Sequence, residues 1–198
     1  MESKDRLIIF VRNADVGKVK TRLGESIGND AALRIYIKLL EVTWSQAKDV
    51  NAAKHVFYSE RVEQNDTLMP SENKFVQKGA DLGERMLNAF QDSFENGAEK
   101  MVIIGSDCPE ITTELIDSAF ENLDRYDVVL GPAKDGGYYL LGMKCLLPML
   151  FRNKEWGTDT VFADTVLDLI DMGLTHFRLK ELSDLDTIYD LHLLDDLP

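Results

Sequence analysis

Cysteine and histidine are scarce in this sequence of 198 residues, which contains two cysteines and three histidines. Cys108 and Cys145 lie far apart in the chain, and neither they nor the histidines have the spacing of a metal site. No serine stands in the nucleophile-elbow pattern of a Ser-His-Asp hydrolase. The sequence therefore favours neither a zinc site nor a serine hydrolase, and so few cysteines are typical of a reducing, cytoplasmic setting.

Positive charge and long apolar runs are also in short supply. Lys and Arg number 22 against 35 Asp and Glu, so the formal net charge is −13. Such a surface repels polyanions, which argues against nucleic acid or an anionic membrane as the main partner. No apolar run approaches the length of a membrane span, and the N-terminal residues show no signal-peptide pattern. The hydrophobic content of 44% fits a globular chain, for which we expect one domain over residues 1–198.

Strand-like and helix-like patterns alternate along the chain. Predicted strands cover residues 6–12, 55–59, 74–77, 101–104, 127–130, 138–143 and 176–179. Predicted helices include a long one capped by Asn29, one that follows the turn 79–83, and those over 113–123, 158–172 and 187–194. This alternation indicates an α/β fold with a mainly parallel central sheet and helices on both faces.

Asp107 follows the short apolar run at 101–104, after Gly105 and Ser106, in the stretch MVIIGSDCPE at 101–110. Ligands of open α/β sheets gather just beyond the carboxyl ends of the strands, so this is where a functional aspartate would lie. The alternative is that Asp107 caps the following helix. Thr112 is better placed for that cap, and we therefore expect Asp107 to bind a ligand or a metal.

Three cations, Lys18, Lys20 and Arg22, follow the first predicted strand. Together with Gly17, which permits close backbone approach, they suit a diphosphate or triphosphate. The loop is not a P-loop, because Arg12 replaces the first glycine of that motif, and the dinucleotide-binding glycine pattern is absent. The alternative is a solvated basic loop.

Two further polar segments follow later strands. Asp135 could accept hydrogen bonds from ligand hydroxyls, and Gly136 and Gly137 would let backbone amides approach a ligand, although a plain tight turn also uses Asp-Gly. Farther on, Asp184 and Asp186 are two carboxylates just past a strand. Asp186 could join Asp107 in holding one Mg²⁺ or Mn²⁺ against a diphosphate, since hard cations prefer oxygen ligands and retain waters. The alternative for Asp186 is a helix N-cap.

Taken together, five segments resemble a known family. They are FVRNADVGKVKTRL, GADLGERM, VIIGSDCPEIT, DVVLGPAKDGGYYLLGM and LSDLDT, in this order. They resemble the glycosyltransferase A-like (GT-A) family known as domain of unknown function 2064, or as radical-SAM or arsenosugar-associated transferases, within the nucleotide-diphospho-sugar transferase superfamily. The resemblance implies a single Rossmann-like domain that binds a nucleotide and carries a metal aspartate at its centre.

The resemblance also implies roles for individual residues. Asp107 would be a metal ligand in a single-aspartate version of the family's motif, whose first position is Gly105 here, and Asp186 would be the second metal aspartate. Residues that would border the nucleotide base or its phosphates are Phe10, Val11, Arg12, Lys18, Lys20, Arg22, Gly79, Asp81, Leu82 and Gly83. The chain departs from the family at Ala14 and Val16, where prolines are usual, and at Gly157, where serine is usual.

The expected activity is a metal-dependent transfer of sugar from a nucleotide-diphospho-sugar to a small acceptor. Asp107, Lys20 and Asp135 are the expected catalytic residues, and Asp135 or Asp159 could act as the base that activates an acceptor hydroxyl. One alternative is a nucleotidylyltransferase that transfers a nucleotide from NTP to a phosphorylated acceptor. A second is a nucleotide-binding protein without catalytic activity.

Overall fold

Seven strands form one sheet in the order β3-β2-β1-β4-β6-β5-β7 in the computed structural model, which describes residues 4–195. The strands are β1 (Asp5–Val11), β2 (Ala53–Tyr58), β3 (Asn73–Val76), β4 (Lys100–Ile104), β5 (Val128–Pro132), β6 (Tyr138–Met143) and β7 (His176–Arg178). The helices are α1 (Thr21–Ile27), α2 (Asn29–Ala47), α3 (Leu82–Glu95), α4 (Thr113–Asn122) and α5 (Val161–Asp171). Two 3-10 helices cover Pro148–Phe151 and Ile188–Leu194.

The sheet is mainly parallel, as the alternation of elements predicts. β1 pairs in parallel with β2 and β4, and β2–β3 and β5–β7 are also parallel. Only β6 runs the other way among the described strands, paired antiparallel with both β4 and β5. Because β6 is reversed, its first residue, Tyr138, lies at the edge of the sheet where β1 and β4 end.

Helices cover both faces of the sheet, which confirms the predicted layering. Side chains alternate along β1, so that Leu7 and Ile9 belong to the core beneath α2 and α4, while Ile8 belongs to the core beneath α3 and α5. All three of these side chains are fully buried. A strand buried on both faces reads as a continuous apolar run, which is the pattern by which β1 and β4 are visible in the sequence.

The helix boundaries around residue 29 differ from the prediction. The basic segment after β1 contains the start of α1, and Asn29 is the first residue of α2 rather than its cap. Gly28 occupies the cap position with φ of 88° and no side-chain cap bond. The Asn29 side chain instead turns back towards Gly24, whose missing Cβ would lie 2.6 Å from its Oδ1 atom. A tertiary contact has therefore replaced the local capping bond.

The last predicted helix also differs, since Ile188–Leu194 is a 3-10 helix. No helix among the described residues is both long and apolar enough to cross a lipid bilayer.

Stability should fall at mildly acidic pH in part because of His55. Burial, and then the positive charge of Arg6, lower the pKa of His55 to about 4 from an ordinary value of 6.5. The unfolded chain therefore takes up this proton first as the pH falls below about 6.5, and stability is lost down to the folded pKa. Since His55 is partly exposed, we expect this residue to account for about 1–2 kcal/mol of the loss between pH 7.5 and pH 5. Denaturant unfolding of wild type and His55→Gln at the two pH values measures it; equal losses in both proteins would contradict the assignment.

Candidate functional site

Four loops meet at the edge of the sheet where β1 and β4 end. They follow β1, β4 and β7, and the fourth is the turn between β5 and β6. The loops after β4 and β7 are tied directly together, because the backbone N–H of Leu185 donates to the carbonyl of Asp107 at 2.9 Å. Polar side chains carried by different parts of the chain therefore face one region, as expected at this edge of an α/β sheet.

Tyr36 of α2 supports this region from below. Its hydroxyl accepts a hydrogen bond from the backbone N–H of Arg12 at 2.7 Å and lies 3.2 Å from Oγ of Ser106. The side chain is 1% exposed, so the bonds are shielded from water. Tyr36 thus fixes the first residue after β1 against the loop that carries Asp107.

Lys20 lies at the centre of the site. Its side chain is 3% exposed, and its Nζ atom lies 2.5 Å from Oδ1 of Asp107 and 3.1 Å from Oδ1 of Asp186. Arg22 contacts the second carboxylate oxygen of Asp186. Lys20 has φ of 47° at the start of α1, a left-handed conformation that is uncommon outside glycine. Four residues predicted as phosphate or metal contacts, Lys20, Arg22, Asp107 and Asp186, are therefore brought together in one cluster.

The capping alternatives for the two aspartates do not apply. Thr112 caps α4 by accepting from the N–H of Leu115, as the sequence predicts. Thr187 caps the 3-10 helix Ile188–Leu194 in a capping box with Asp190. Asp107 and Asp186 are therefore left to pair with Lys20.

Lys18 does not join this cluster. Its Nζ atom lies 2.9 Å from Glu60 and 3.7 Å from Asp15, and its side chain is exposed. The expected convergence of Lys18, Lys20 and Arg22 on one phosphate group is thus only partly formed. Successive residues of an irregular loop point in different directions, and the sequence carries no period from which to predict them.

Asp184 is the first of the two carboxylates noted after the last predicted strand, of which only Asp186 was expected to bind a metal. Burial raises its pKa to about 7, and the negative charges of Asp107, Asp135 and Asp186 add to this effect while Lys20 opposes it. Leu185, between the two aspartates, is fully buried. In an extended segment, residues two apart lie on one side, so the alternation Asp-Leu-Asp was the signal that could have identified Asp184.

The donor set fits a hard divalent cation supplied with a phosphate ligand. Asp107 and Asp186 converge on a single cationic nitrogen. Burial and then the surrounding negative charges raise the pKa of Asp184. No group of three or more His, Cys, Asp or Glu among residues 4–195 is arranged to hold a metal. Mg²⁺ characteristically uses one or two carboxylates, phosphate oxygens and waters, so a complete protein cage is not required.

A cavity of about 540 Å³ opens beside this cluster. The predicted site residues that line it are Phe10, Val11, Arg12, Lys18, Leu82, Asp107, Asp135 and Gly137, whereas Lys20, Arg22 and Asp186 lie outside its lining. Asp184 lines it as well, together with the apolar side chains Leu82, Met86, Tyr138, Trp156 and Val161. The cavity therefore combines a carboxylate-rich floor with an apolar wall.

Several glycines predicted to approach a ligand instead accommodate the protein itself. A Cβ at Gly83 would lie 2.2 Å from Nε1 of Trp156, and one at Gly136, where φ is 89°, would lie 2.1 Å from the carbonyl oxygen of Asp159. Neither residue lines the cavity described above. For these two glycines, close packing of distant segments is the structural reason for the missing side chain.

The turn 79–81 is likewise explained by local structure. Asp81 caps α3, with Oδ1 accepting from the N–H of Glu84 at 2.9 Å. A Cβ at Gly79 would lie 2.7 Å from the backbone nitrogen of Arg85. Asp135 accepts from the N–H of Gly137 at 2.9 Å, as a tight turn requires, but both residues still line the cavity.

Comparison with known proteins identifies both relatives and fold. Residues 42–158 match a family described as uncharacterized proteins conserved in bacteria (DUF2064). A protein from Desulfovibrio desulfuricans G20, for which nucleotide-diphospho-sugar transferase activity has been suggested, is 35% identical, with a TM-score of 0.90 over 97% of this chain and 86% of that one. No curated protein matches.

More distant structures share the fold alone. A CMP:2-keto-3-deoxy-manno-octonic acid synthetase complexed with CTP is 12% identical, with a TM-score of 0.60 over 97% of each chain. A 4-diphosphocytidyl-2C-methyl-D-erythritol synthase from Anaerococcus prevotii DSM 20548 is 11% identical, with a TM-score of 0.61 over 95% of this chain and 92% of that one.

Removing the Lys20 ammonium should destabilise the protein. Lys20→Met keeps the length of the side chain and the same backbone constraint, but leaves Asp107 without its ammonium partner and Asp186 with Arg22 alone. Because both carboxylates are partly exposed, we expect a loss of about 1–3 kcal/mol in the free energy of unfolding. Lys18→Met, at an exposed ion pair, should change it by less than about 0.5 kcal/mol. Asp107→Asn in the Lys20→Met background should recover part of the loss, and strict additivity of the two substitutions would count against the pairing.

Proposed function

We propose that this chain, which belongs to the DUF2064 family of bacterial proteins, is a glycosyltransferase. Its donor would be a nucleotide-diphospho-sugar and its acceptor a small molecule with a hydroxyl group. Lys20, Asp107 and Asp186 form a charged cluster beside a cavity. The observation that carries the proposal is the buried Lys20 ammonium between Asp107 and Asp186, directly beyond the ends of β1 and β4.

The diphosphate of the donor would lie over this cluster. Lys20 supplies a fixed positive charge there, and Asp107 and Asp186 are the residues that would hold Mg²⁺ or Mn²⁺. When bound, the cation would offset negative charge developing on the departing diphosphate. Phe10 and Arg12 line the cavity after β1 and are the residues that would border the nucleotide.

The acceptor would enter on the side of the turn between β5 and β6. Asp135 lines the cavity there, and while its Oδ1 atom holds the N–H of Gly137, its second oxygen is left to take a proton. In the transfer, the acceptor oxygen bonds to the anomeric carbon as the bond from that carbon to the diphosphate oxygen breaks. The nucleoside diphosphate leaves with the electron pair, and Asp135 takes the hydroxyl proton.

A nucleotidylyltransferase is the second candidate, favoured by the fold that the chain shares with the CTP-bound synthetase. The charges of the site support it less well. A triphosphate requires more positive charge than a diphosphate, yet Lys18 and Arg22 each contact carboxylates of the protein. Lys20 is likewise shared between two aspartates.

Nucleotide binding should depend on the cation through Asp107. By calorimetry, we expect Mn²⁺ to strengthen binding of a nucleoside diphosphate about tenfold or more in wild type, and Asp107→Asn to abolish most of that gain. Asp30→Asn, on the exposed surface of α2, is the matched control. If Mn²⁺ has the same effect with and without the Asp107 carboxylate, the metal assignment is wrong.

The product formed separates the candidate functions. Incubation with nucleotide sugars and a panel of small alcohols should release nucleoside diphosphate, whereas a nucleotidylyltransferase given NTP and sugar phosphates would release pyrophosphate. Nucleotide binding that survives Asp107→Ala without turnover in either panel would identify a non-catalytic nucleotide-binding protein.

A further inference from the structure

The apolar wall of the cavity is built from three elements and a loop. It consists of Leu82 and Met86 on α3, Tyr138 at the start of β6, Val161 at the start of α5, and Trp156 in the loop before α5. Leu82 is 46% exposed and lines the cavity, so its side chain is accessible to a ligand there. Of these side chains, Leu82 alone was expected near the nucleotide, and the roles proposed for Lys20, Asp107 and Asp186 use none of them.

Trp156 is held in a defined orientation within this wall. Its indole packs against Gly83, where a Cβ would lie 2.2 Å from Nε1, and meets the ring of Tyr138 edge-on at a centroid distance of 6.4 Å. The next residue, Gly157, has φ of 86°, and a Cβ there would meet nothing within 4 Å. The indole is therefore fixed by packing against Gly83 and Tyr138, and the partly exposed remainder of the side chain lines the cavity.

The charged phosphates gain nothing from this wall, and the groups that would bind the diphosphate lie in the cluster of Lys20, Asp107 and Asp186. A sugar ring can stack its C–H face on an indole, but its hydroxyl groups lose water there, so it gains less than a ring without them. A fixed indole beside the exposed side chain of Leu82, with Met86 and Val161 buried behind them, instead favours a flat or cyclic apolar group, which gains from burial and from contact with the ring.

We propose that the acceptor carries an apolar ring and that Trp156 selects it. That the ligand is the acceptor rests on the proposed glycosyltransferase function, whereas the existence of a site for an apolar ring is inferred from the lining of the cavity alone. Trp156 and Leu82 are specificity-determining residues in this assignment, and Gly83 is a positioning residue that acts only through Trp156.

Ring probes test the site without knowledge of the natural acceptor. Cyclohexanol and phenol are the apolar probes, and myo-inositol, a fully hydroxylated six-membered ring, is the polar counterpart. The chain contains two tryptophans, so ¹⁵N-labelled protein gives two indole N–H signals, and Trp156→Phe identifies the one from Trp156. We expect the apolar probes to shift that signal saturably and to leave the Trp44 signal in place, and we expect no saturable shift with myo-inositol.

Variants then locate the contact, with probe affinity measured by saturation-transfer NMR. Trp156→Ala should weaken cyclohexanol and phenol binding about tenfold, Leu82→Ala about threefold, and Trp156→Phe less than threefold. Gly83→Ala should reproduce the loss by displacing the indole, and Gln91→Ala, on the exposed face of α3, should change nothing. UDP affinity in the presence of Mn²⁺ should stay within twofold in Trp156→Ala.

Other results would overturn the proposal. Equal binding of myo-inositol and cyclohexanol, unchanged probe affinity in Trp156→Ala, or no probe binding at all would each rule out a selective apolar site. A tenfold loss of UDP affinity in Trp156→Ala would assign the wall to the nucleotide base instead. Absence of nucleotide binding with probe binding intact would refute the glycosyltransferase function and leave the apolar ring site standing.

Discussion

The Lys20 ammonium, buried between Asp107 and Asp186, is the interaction on which the arrangement of the site depends. A lysine that loses its water is stable as a cation only where carboxylates replace that water. The loop after β1 brings the lysine, the loop after β4 brings Asp107, and the loop after β7 brings Asp186. The requirement to satisfy one charge thus fixes three chain segments that are far apart in sequence.

The same contact accounts for the local backbone around α1. Lys20 has φ of 47°, a conformation that costs energy in a residue with a Cβ. It persists because it starts α1 while turning the side chain inward, away from the direction that Lys18 takes towards Glu60. Backbone strain at Lys20 is offset by its two carboxylate contacts, so helix start and charged site form as one unit.

Much of the fold was visible in the sequence because it depends on local patterns. Doubly buried strands such as β1 and β4 appear as continuous apolar runs, and Thr112 is recognisable as a cap from its position before α4. Asp107, Lys20 and Asp186 were identified because each follows a strand. Periodicity and capping rules consider one helix at a time, and they fail where the packing of two helices decides, as with the Asn29 side chain, which packs towards Gly24 of α1 instead of capping α2.

Glycines show most clearly what such patterns miss. Gly83 and Gly136 resemble positions where a backbone approaches a ligand, yet the space that a side chain would fill is taken by Trp156 and by the backbone of Asp159. The packing of Trp156 against Gly83 still affects the shape of the cavity. Because Gly83 lets the indole pack against α3, an apolar wall lies in the same cavity as the carboxylates of Asp107, Asp135 and Asp184. A site with both surfaces can hold the charged leaving group and an apolar acceptor at once. The charged cluster would recognise the leaving group, and the apolar wall would recognise the acceptor.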